Sequence, residues 1–405
     1  MQKRVLKFPE GFLWGAATAA HQIEGNNINS DWWAWENSIK RHNQLIAQGK
    51  EPKEFASGLA CDSYNRYDED FALAQHLNHN AHRLSIEWAR IEPRENYFDE
   101  KELDHYEKVL QSAKFHGLTT FVTLHHYTNP LWFAKKGGFV KKQNISYFYR
   151  FACRAVLRLS EYVDFWLTFN EPEVYSNLGF LRGRYPPQIK SIRATFSVLK
   201  NIIKAHNLVC EFIHRQTRQS VSMAYHLSDL QPTGRLSHLT SGLAHYIANE
   251  YTLRRTIESC DFIGVNYYFH HHVGFFGKRR HSYSSHEITD VGWGIHPEGL
   301  ERVLLNLRRY HKPIYVMESG IADAKDTKRE KFIKDHLYYL HRAVQQEADV
   351  RSYLYWSLID NFEWDQGFAP RFGLIEIDRQ DLLRRRVRYS AIKYAEICKN
   401  NYMEY

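Results

Sequence analysis

The chain has 405 residues, 43% of them hydrophobic, 25% charged and 15% aromatic, with 54 Lys plus Arg against 46 Asp plus Glu for a net charge of +8 at pH 7. That wealth of apolar and aromatic residues excludes disorder for the bulk of the chain, and a mean hydropathy of −0.56 with no run approaching about 18 apolar residues excludes a membrane-spanning protein. The densest basic runs, Lys278-Arg279-Arg280 and Arg384-Arg385-Arg386, are short, lie far apart and match no nucleic-acid-binding motif.

Eight short apolar runs rich in β-branched and aromatic residues read as strands: Phe12–Ala20, Asn80–Trp88, Leu118–His126, Asp164–Glu171, Ser220–Leu227, Cys260–Tyr268, Pro313–Gly320 and Val350–Leu358. Their spacing leaves room for a helix and loops each time. The intervening segments repeat apolar residues at three- and four-residue steps. Tyr64, Tyr67, Phe71, Ala74 and Leu77 form one stripe, and Leu103, Tyr106, Leu110 and Ala113 a second that stops at Gly117. Tyr147, Phe151, Ala155 and Leu159 form a third, and Phe332, His336, Tyr339 and Ala343 a fourth. No Ser/Gly/Pro-rich linker divides the chain. The expected architecture is α/β, a single (β/α)8 TIM barrel over residues 1–405. An open doubly wound sheet is the alternative, but Gly11-Phe12-Leu13-Trp14-Gly15 is not the Gly-rich nucleotide turn it would need.

The five cysteines, Cys61, Cys153, Cys210, Cys260 and Cys398, are widely spaced, with no CxxC or zinc pattern. Free, mostly buried thiols are expected. The segment Met1–Pro9 offers no apolar stretch or cleavage site of a secretory signal. Both features predict a cytoplasmic protein.

Seven of the strands turn polar at or near their C-terminal ends. The first leads into His21-Gln22-Ile23-Glu24, and the second contains Arg83 and ends near Glu87-Trp88. Further ends are His125-His126-Tyr127, Asn170-Glu171-Pro172, Asn266-Tyr267-Tyr268, Glu318-Ser319, and Trp356 followed by Asp360-Asn361-Phe362-Glu363-Trp364. Any single such end also reads as a satisfied polar residue at a strand end. Seven together define a rim, where the active sites of barrels lie. Carboxylates, amides, His, Trp and Tyr suit a sugar, whose ring has apolar C–H patches and a girdle of hydroxyls. The tract His270-His271-His272 reads as surface or supporting residues rather than as a metal site, because adjacent side chains diverge. Glu171 and Glu318 end apolar strands. A structural reading makes each half of a buried ion pair, with Arg83 as candidate partner. The chemical reading is glycosidic bond cleavage by two carboxyls.

These residues resemble glycoside hydrolase family 1, the retaining β-glycosidases built on a (β/α)8 barrel. The likeness runs from Phe8-Pro9-Glu10-Gly11-Phe12-Leu13-Trp14-Gly15 to Arg371-Phe372-Gly373-Leu374. Thr168-Phe169-Asn170-Glu171-Pro172 looks like the acid/base motif, Val316-Met317-Glu318-Ser319-Gly320 like the nucleophile motif, and Trp356–Trp364 like the sugar-binding loop. The resemblance implies Glu171 as acid/base and Glu318 as nucleophile. It implies that Gln22, His126, Asn170, Glu363 and Trp364 bind the innermost sugar and that Trp356 forms its floor. Phe372 would line the pocket near the 6-position, Arg83 and Tyr268 would orient Glu318, and Asn266 would sit beside the pair.

Three departures from the family pattern stand out. Tyr127 occupies the place of a usual Trp and is expected in the wall of the sugar pocket. Ser319-Gly320 follows the nucleophile where Asn-Gly is usual. The chain is short between Phe180 and Cys260. The implied substrates are small β-glycosides or short oligosaccharides, with no metal or organic cofactor, no nucleic acid and no membrane partner. Two carboxyls roughly 5–5.5 Å apart repel when both are ionised, so Glu171 is expected to be raised and Glu318, beside Arg83, to stay ionised. Sugar binding without cleavage, nucleic-acid binding and transglycosylation are the competing readings.

Overall fold

The computed structural model describes residues 4–234, 237–274, 279–280 and 287–405. Its centre is a closed barrel of eight parallel strands: β1 (Leu13–Ala17), β2 (Ala81–Ser85), β3 (Thr119–His125), β4 (Phe165–Asn170), β5 (Ser220–His226), β6 (Ile263–Asn266), β7 (Ile314–Ser319) and β8 (Val350–Trp356). Each strand pairs with its successor, and β8 closes on β1 through Ser352 opposite Leu13 and Trp356 opposite Ala17. All eight predicted strands are present, in order. The predicted runs extend beyond the ladders because the last residues leave the sheet to form the rim. Thr18 and Ala19 follow β1, for example, and a short helix Ala20–Ile23 carries His21 and Gln22.

Helices surround the barrel: α1 (Ser63–His76), α2 (Glu100–Phe115), α3 (Ile145–Leu159), α4 (Ile192–Gln216), α5 (His238–His245), α6 (Glu298–Leu307), α7 (Arg329–Gln345) and α8 (Tyr389–Asn400). Local chemistry sets their ends. Asp99 caps α2 by accepting from the Lys101 amide, Glu100 and Glu102 face the positive end of its dipole, and Gly117 at φ +73° allows the left-handed exit. The predicted stripes face inward: Leu103, Tyr106, Leu110 and Ala113 are fully buried. Beyond the ends of β5 and β6 the chain adds a small ribbon in which Asp229–Pro232, after β5, runs parallel to His270–Val273, after β6.

The two largest apolar clusters among the described residues hold the fold. The larger lies between strands and helices, where Trp88 stacks on Phe151 and Phe169 packs against Phe148. The smaller fills the lower barrel with Ala81, Phe121, Leu167, Ala224, Phe262, Tyr315, Met317 and Leu354. Phe121 and Phe165 stack at 4.4 Å within it. The barrel is therefore floored by side chains beneath the polar groups of its upper end.

Among the described residues no helix is long and apolar enough to cross a membrane. The five cysteines are free, four of them buried. The basic run at 384–386 serves the fold: Arg385 pairs with buried Asp70 at 2.9 Å and Arg386 with Asp378 at 2.7 Å. Lys278, from the other basic run, lies outside the described residues.

Candidate active site

Strand register brings the site together. Asn266 on β6 lies opposite Glu318 on β7 and opposite His226 on β5. The ladder alternation breaks after Val316 and after Leu167, just before the two carboxylates. Such irregularities re-aim side chains next to functional sites. On β7 the break lets Met317 join the barrel floor while Glu318 turns to Arg83.

Glu318 is 4% exposed and doubly held. Arg83 Nη1 donates to its Oε1, and the Tyr268 hydroxyl donates to Oε2 at 2.8 Å. Arg83, itself 1% exposed, is fixed by Thr123 Oγ1 at 3.2 Å and Asn170 Oδ1 at 2.7 Å. Gly320 follows because the chain passes β8 at close quarters: a Cβ there would lie 1.8 Å from the Trp356 carbonyl oxygen.

Glu171 caps β4 in the left-handed region, at φ 41°, with Pro172 opening the next short helix. Bulky residues adopt that region at a cost, and such strain gathers at functional sites. Tyr127 at φ 70° and Trp364 at φ 50° share the feature. Three groups donate to the Glu171 carboxylate. The Tyr127 hydroxyl reaches Oε2, while Asn266 Nδ2 at 2.9 Å and His226 Nδ1 at 3.2 Å reach Oε1. Asn266 also links the two acids, since its Oδ1 is 3.5 Å from Arg83 Nη1.

The electrostatics differ from the sequence expectation. Burial pushes the Glu318 carboxyl up to about 7, and the charge of Glu171 adds to this against the opposing Arg83 and Tyr268. Burial also raises Glu171, but the His226 charge and its three donors outweigh that and hold it below the usual carboxylate range. The expectation that Glu318 would dominate Glu171 omitted His226 and the Tyr127 hydroxyl. Two carboxyls this strongly linked lose their protons as a pair, and the one-proton form includes both placements of the proton.

The other sugar-site candidates lie around this pair. Asn170 Nδ2 donates to His126 Nε2 at 3.0 Å, and burial drives His126 far below its ordinary value, so the ring is neutral. Gln22 Nε2 donates to the Phe362 carbonyl at 2.9 Å and to Glu363 Oε2 at 3.3 Å. His126 Nδ1 and Gln22 Oε1 are buried and have no partner among the described residues. A ligand hydroxyl would relieve the cost of each. Burial and the neighbouring Glu318 push Glu363 up to about 8. Trp364 stacks on His126 at 5.8 Å and on His21 at 5.8 Å. Trp356 and Phe372 share a cluster with Ala17, Ala19 and Ala322.

Two residues at the rim were not anticipated. Trp293 packs on Tyr268 and Phe372 at 5.9 Å each. Its signal was an aromatic between two glycines, Gly292-Trp293-Gly294. His226, at the end of the one strand without an assigned polar rim group, touches Glu171. Tyr127, expected as a pocket wall, puts its hydroxyl on that same carboxylate.

Among the described residues one group has metal-like geometry: Asp229, His270 and His296, with ligand atoms within 4.8 Å of one another. Arg302 Nη2 lies 2.6 Å from Asp229 Oδ2 and 2.5 Å from His296 Nε2, so a guanidinium charge stands where a cation would sit. The ladder with Asp229–Pro232 puts His270 and His272 on one face, their rings 4.7 Å apart, and His271 against Phe269.

Comparison with known proteins gives a consistent result. A family model described as glycosyl hydrolase family 1 matches residues 5–241 and 240–403. Beta-glucosidase A of Acetivibrio thermocellus is 30% identical over 98% of this chain and 99% of its own. A beta-galactosidase of Sulfolobus acidocaldarius is 30% identical over 98% and 96%. The solved structure of a beta-glycosidase from Pyrococcus horikoshii matches with a TM-score of 0.90 at 37% identity, over 99% of this chain and 96% of that one.

Proposed function

The chain belongs to glycosyl hydrolase family 1, and from that premise we propose that it is a retaining β-glycosidase cleaving terminal β-linked glucosides and galactosides by double displacement, as one barrel unit over residues 1–405. The observation that carries this reading is the pair of buried carboxyls joined through Asn266, with Arg83 and Tyr268 on Glu318 and proton-bearing groups on Glu171. In the first step a Glu318 oxygen attacks the anomeric carbon. The bond to the leaving oxygen breaks, and that oxygen takes the proton from Glu171. In the second, water attacks the same carbon, Glu171 takes its proton, and the ester to Glu318 breaks. Two inversions give net retention.

Arg83 and Tyr268 stabilise the charge that returns to Glu318. While Glu318 is esterified its charge is absent, and Glu171 works as a base. Gln22, His126, Asn170, Glu363 and Trp364 bind the sugar over Trp356, with Phe372 near its 6-position. These steps need no metal or organic cofactor. Five free thiols suit a reducing compartment, which supports the cytoplasmic placement.

The test is incubation with a dinitrophenyl 2-deoxy-2-fluoro-β-glucoside. The fluorine slows both steps and the good leaving group rescues only the first, so a stable adduct should form on the peptide holding Glu318. An adduct elsewhere, or an α-configured first product, would overturn the proposal.

A second expected outcome concerns substrate choice. Glu363 is placed to accept hydrogen bonds from the hydroxyls at positions 4 and 6. A carboxylate does so for an axial or an equatorial 4-hydroxyl, so β-glucosides, β-galactosides and β-fucosides should all react. A 6-phosphate brings about −1.5 to −2 charges to a pocket that already holds three carboxyls. Like charges that close, partly desolvated, cost several kcal/mol. Arg371, the nearest cation in sequence, is engaged by Asp360 at 3.3 Å and the Ile377 carbonyl at 3.1 Å. Comparing kcat/KM for the four nitrophenyl glycosides checks this, and preference for the phosphorylated one would contradict it.

A further inference from the structure

Glu171 is gripped from two sides. On one side is Tyr127, 3% exposed, its ring lodged against Trp364 at 5.0 Å and Tyr185 at 5.9 Å. Its hydroxyl ends on Oε2. On the other side is His226, the last residue of β5, in register with Asn266. Its Nδ1 is 3.2 Å from Oε1 and its Nε2 is 3.3 Å from Ser228 Oγ. The imidazole lies parallel to the Tyr268 ring at 6.4 Å and against Phe269 at 5.4 Å, so it has little freedom to swing away. Both Glu171 oxygens therefore carry donors, and a rotation of the carboxyl would break contacts on both sides.

We propose that Tyr127 and His226 are positioning residues for Glu171, a two-sided clamp that fixes the plane of its carboxyl and sets the pH at which the site gives up its last catalytic proton. The proposal rests on the retaining reading above and deepens it. A donor on a carboxylate favours the ionised form over the neutral one, and a cation beside it does so more strongly. His226 faces Glu171, Glu173 and Glu318, whose charges together raise it against the effect of burial. Glu171 faces His226, Tyr127, Asn266 and Glu318, and its charge also reaches Glu363. Burial pushes Glu173 itself up to about 7.

Removing either clamp residue deletes a group that favours the deprotonated site and leaves burial and the charges of Glu318 and Glu363 in place. The carboxyl pair then keeps its proton to higher pH, whichever of the two holds it. The alkaline limb of kcat/KM reports the loss of that proton from the free enzyme.

The experiment measures kcat/KM against pH for cellobiose, whose leaving group needs a proton, in the full chain and in Tyr127→Phe, His226→Asn and His226→Leu. The Asn variant offers a neutral amide near the Nδ1 position, and the Leu variant offers neither donor nor charge. Thermal melting checks that each variant folds. The expected result is an alkaline limb displaced upward by about one pH unit in Tyr127→Phe and His226→Leu. His226→Asn should fall between wild type and His226→Leu, and KM should change less than the limb. Limbs that stay in place in folded variants would overturn the clamp. Glu171→Ala separates the clamp from the acid/base role of Glu171. If it loses the alkaline limb while the clamp variants leave theirs unmoved, the clamp alone fails. If it hydrolyses cellobiose like wild type, the acid/base reading fails and the clamp falls with it.

Discussion

Replacing Glu318 by glycine is expected to abolish hydrolysis of aryl β-glucosides, with a loss on the order of 10⁴-fold or more, because no other group can form the covalent intermediate. The structure adds a reason why the loss should be repairable. Without Glu318, the Arg83 guanidinium and the Tyr268 hydroxyl still point into the space it occupied. Both are held by other contacts, Arg83 through Thr123 and Asn170. The result is a small cavity with a cation and a donor, suited to a small anion. Azide should enter it and restore turnover, attacking the face that Glu318 attacked and giving the α-glycosyl azide. Product configuration is read by NMR. The same substitution leaves buried Arg83 unpaired, and removing one partner of a buried pair costs about 3–5 kcal/mol of stability. The variant should therefore melt earlier, and azide should recover part of that loss as well. Substantial turnover without azide would sink the assignment of Glu318.

Glu171→Ala should divide substrates by leaving group. A sugar alkoxide of high pKa needs a proton as it departs, and dinitrophenolate does not. Cellobiose hydrolysis should fall by about 10²–10⁴-fold, the range typical of lost general acid catalysis. Formation of the glycosyl-enzyme from dinitrophenyl β-glucoside should be much less affected, but its breakdown loses the base. Stopped-flow absorbance should then show a burst of one dinitrophenolate per enzyme followed by slow turnover. Azide should accelerate the slow phase and give the β-glycosyl azide, since the anion needs no base and Glu318 is intact. Equal losses on both substrates, with no burst, would mean that Glu171 supports the fold rather than the chemistry.

What was legible in the sequence is what depends on neighbours along the chain. Each barrel strand announced itself as an apolar run, seven of the eight turned polar at their ends, and the helices showed their stripes, because burial of one face is a local constraint with a fixed period. Glu171 and Glu318 stood out for the same reason: a carboxylate ending an apolar strand needs an explanation. What was not legible depends on register between strands distant in sequence. His226 meets Glu171 because Ala224 lies opposite Asn170 across the β4–β5 ladder and His226 lies opposite Asn266 across the next. No spacing in the chain reports that. The expected direction for Glu171 failed for this reason, since it counted the one charge the motifs revealed and missed the donors that only the barrel assembles. Tyr127 was visible as an oddity, but the partner of its hydroxyl was not.

The side chains that floor the barrel also govern traffic. Phe121, Leu167, Phe262, Tyr315, Met317 and Leu354 close the lower end, so whatever enters from the rim must leave by the rim. In the proposed cycle the departing alcohol and the incoming water therefore pass through one doorway in turn. The covalent intermediate waits with that doorway vacated, and any small alcohol present competes with water for the same approach. The partition between hydrolysis and sugar transfer then becomes a matter of occupancy at a single gate, set by the concentration and fit of the acceptor rather than by a separate route through the protein.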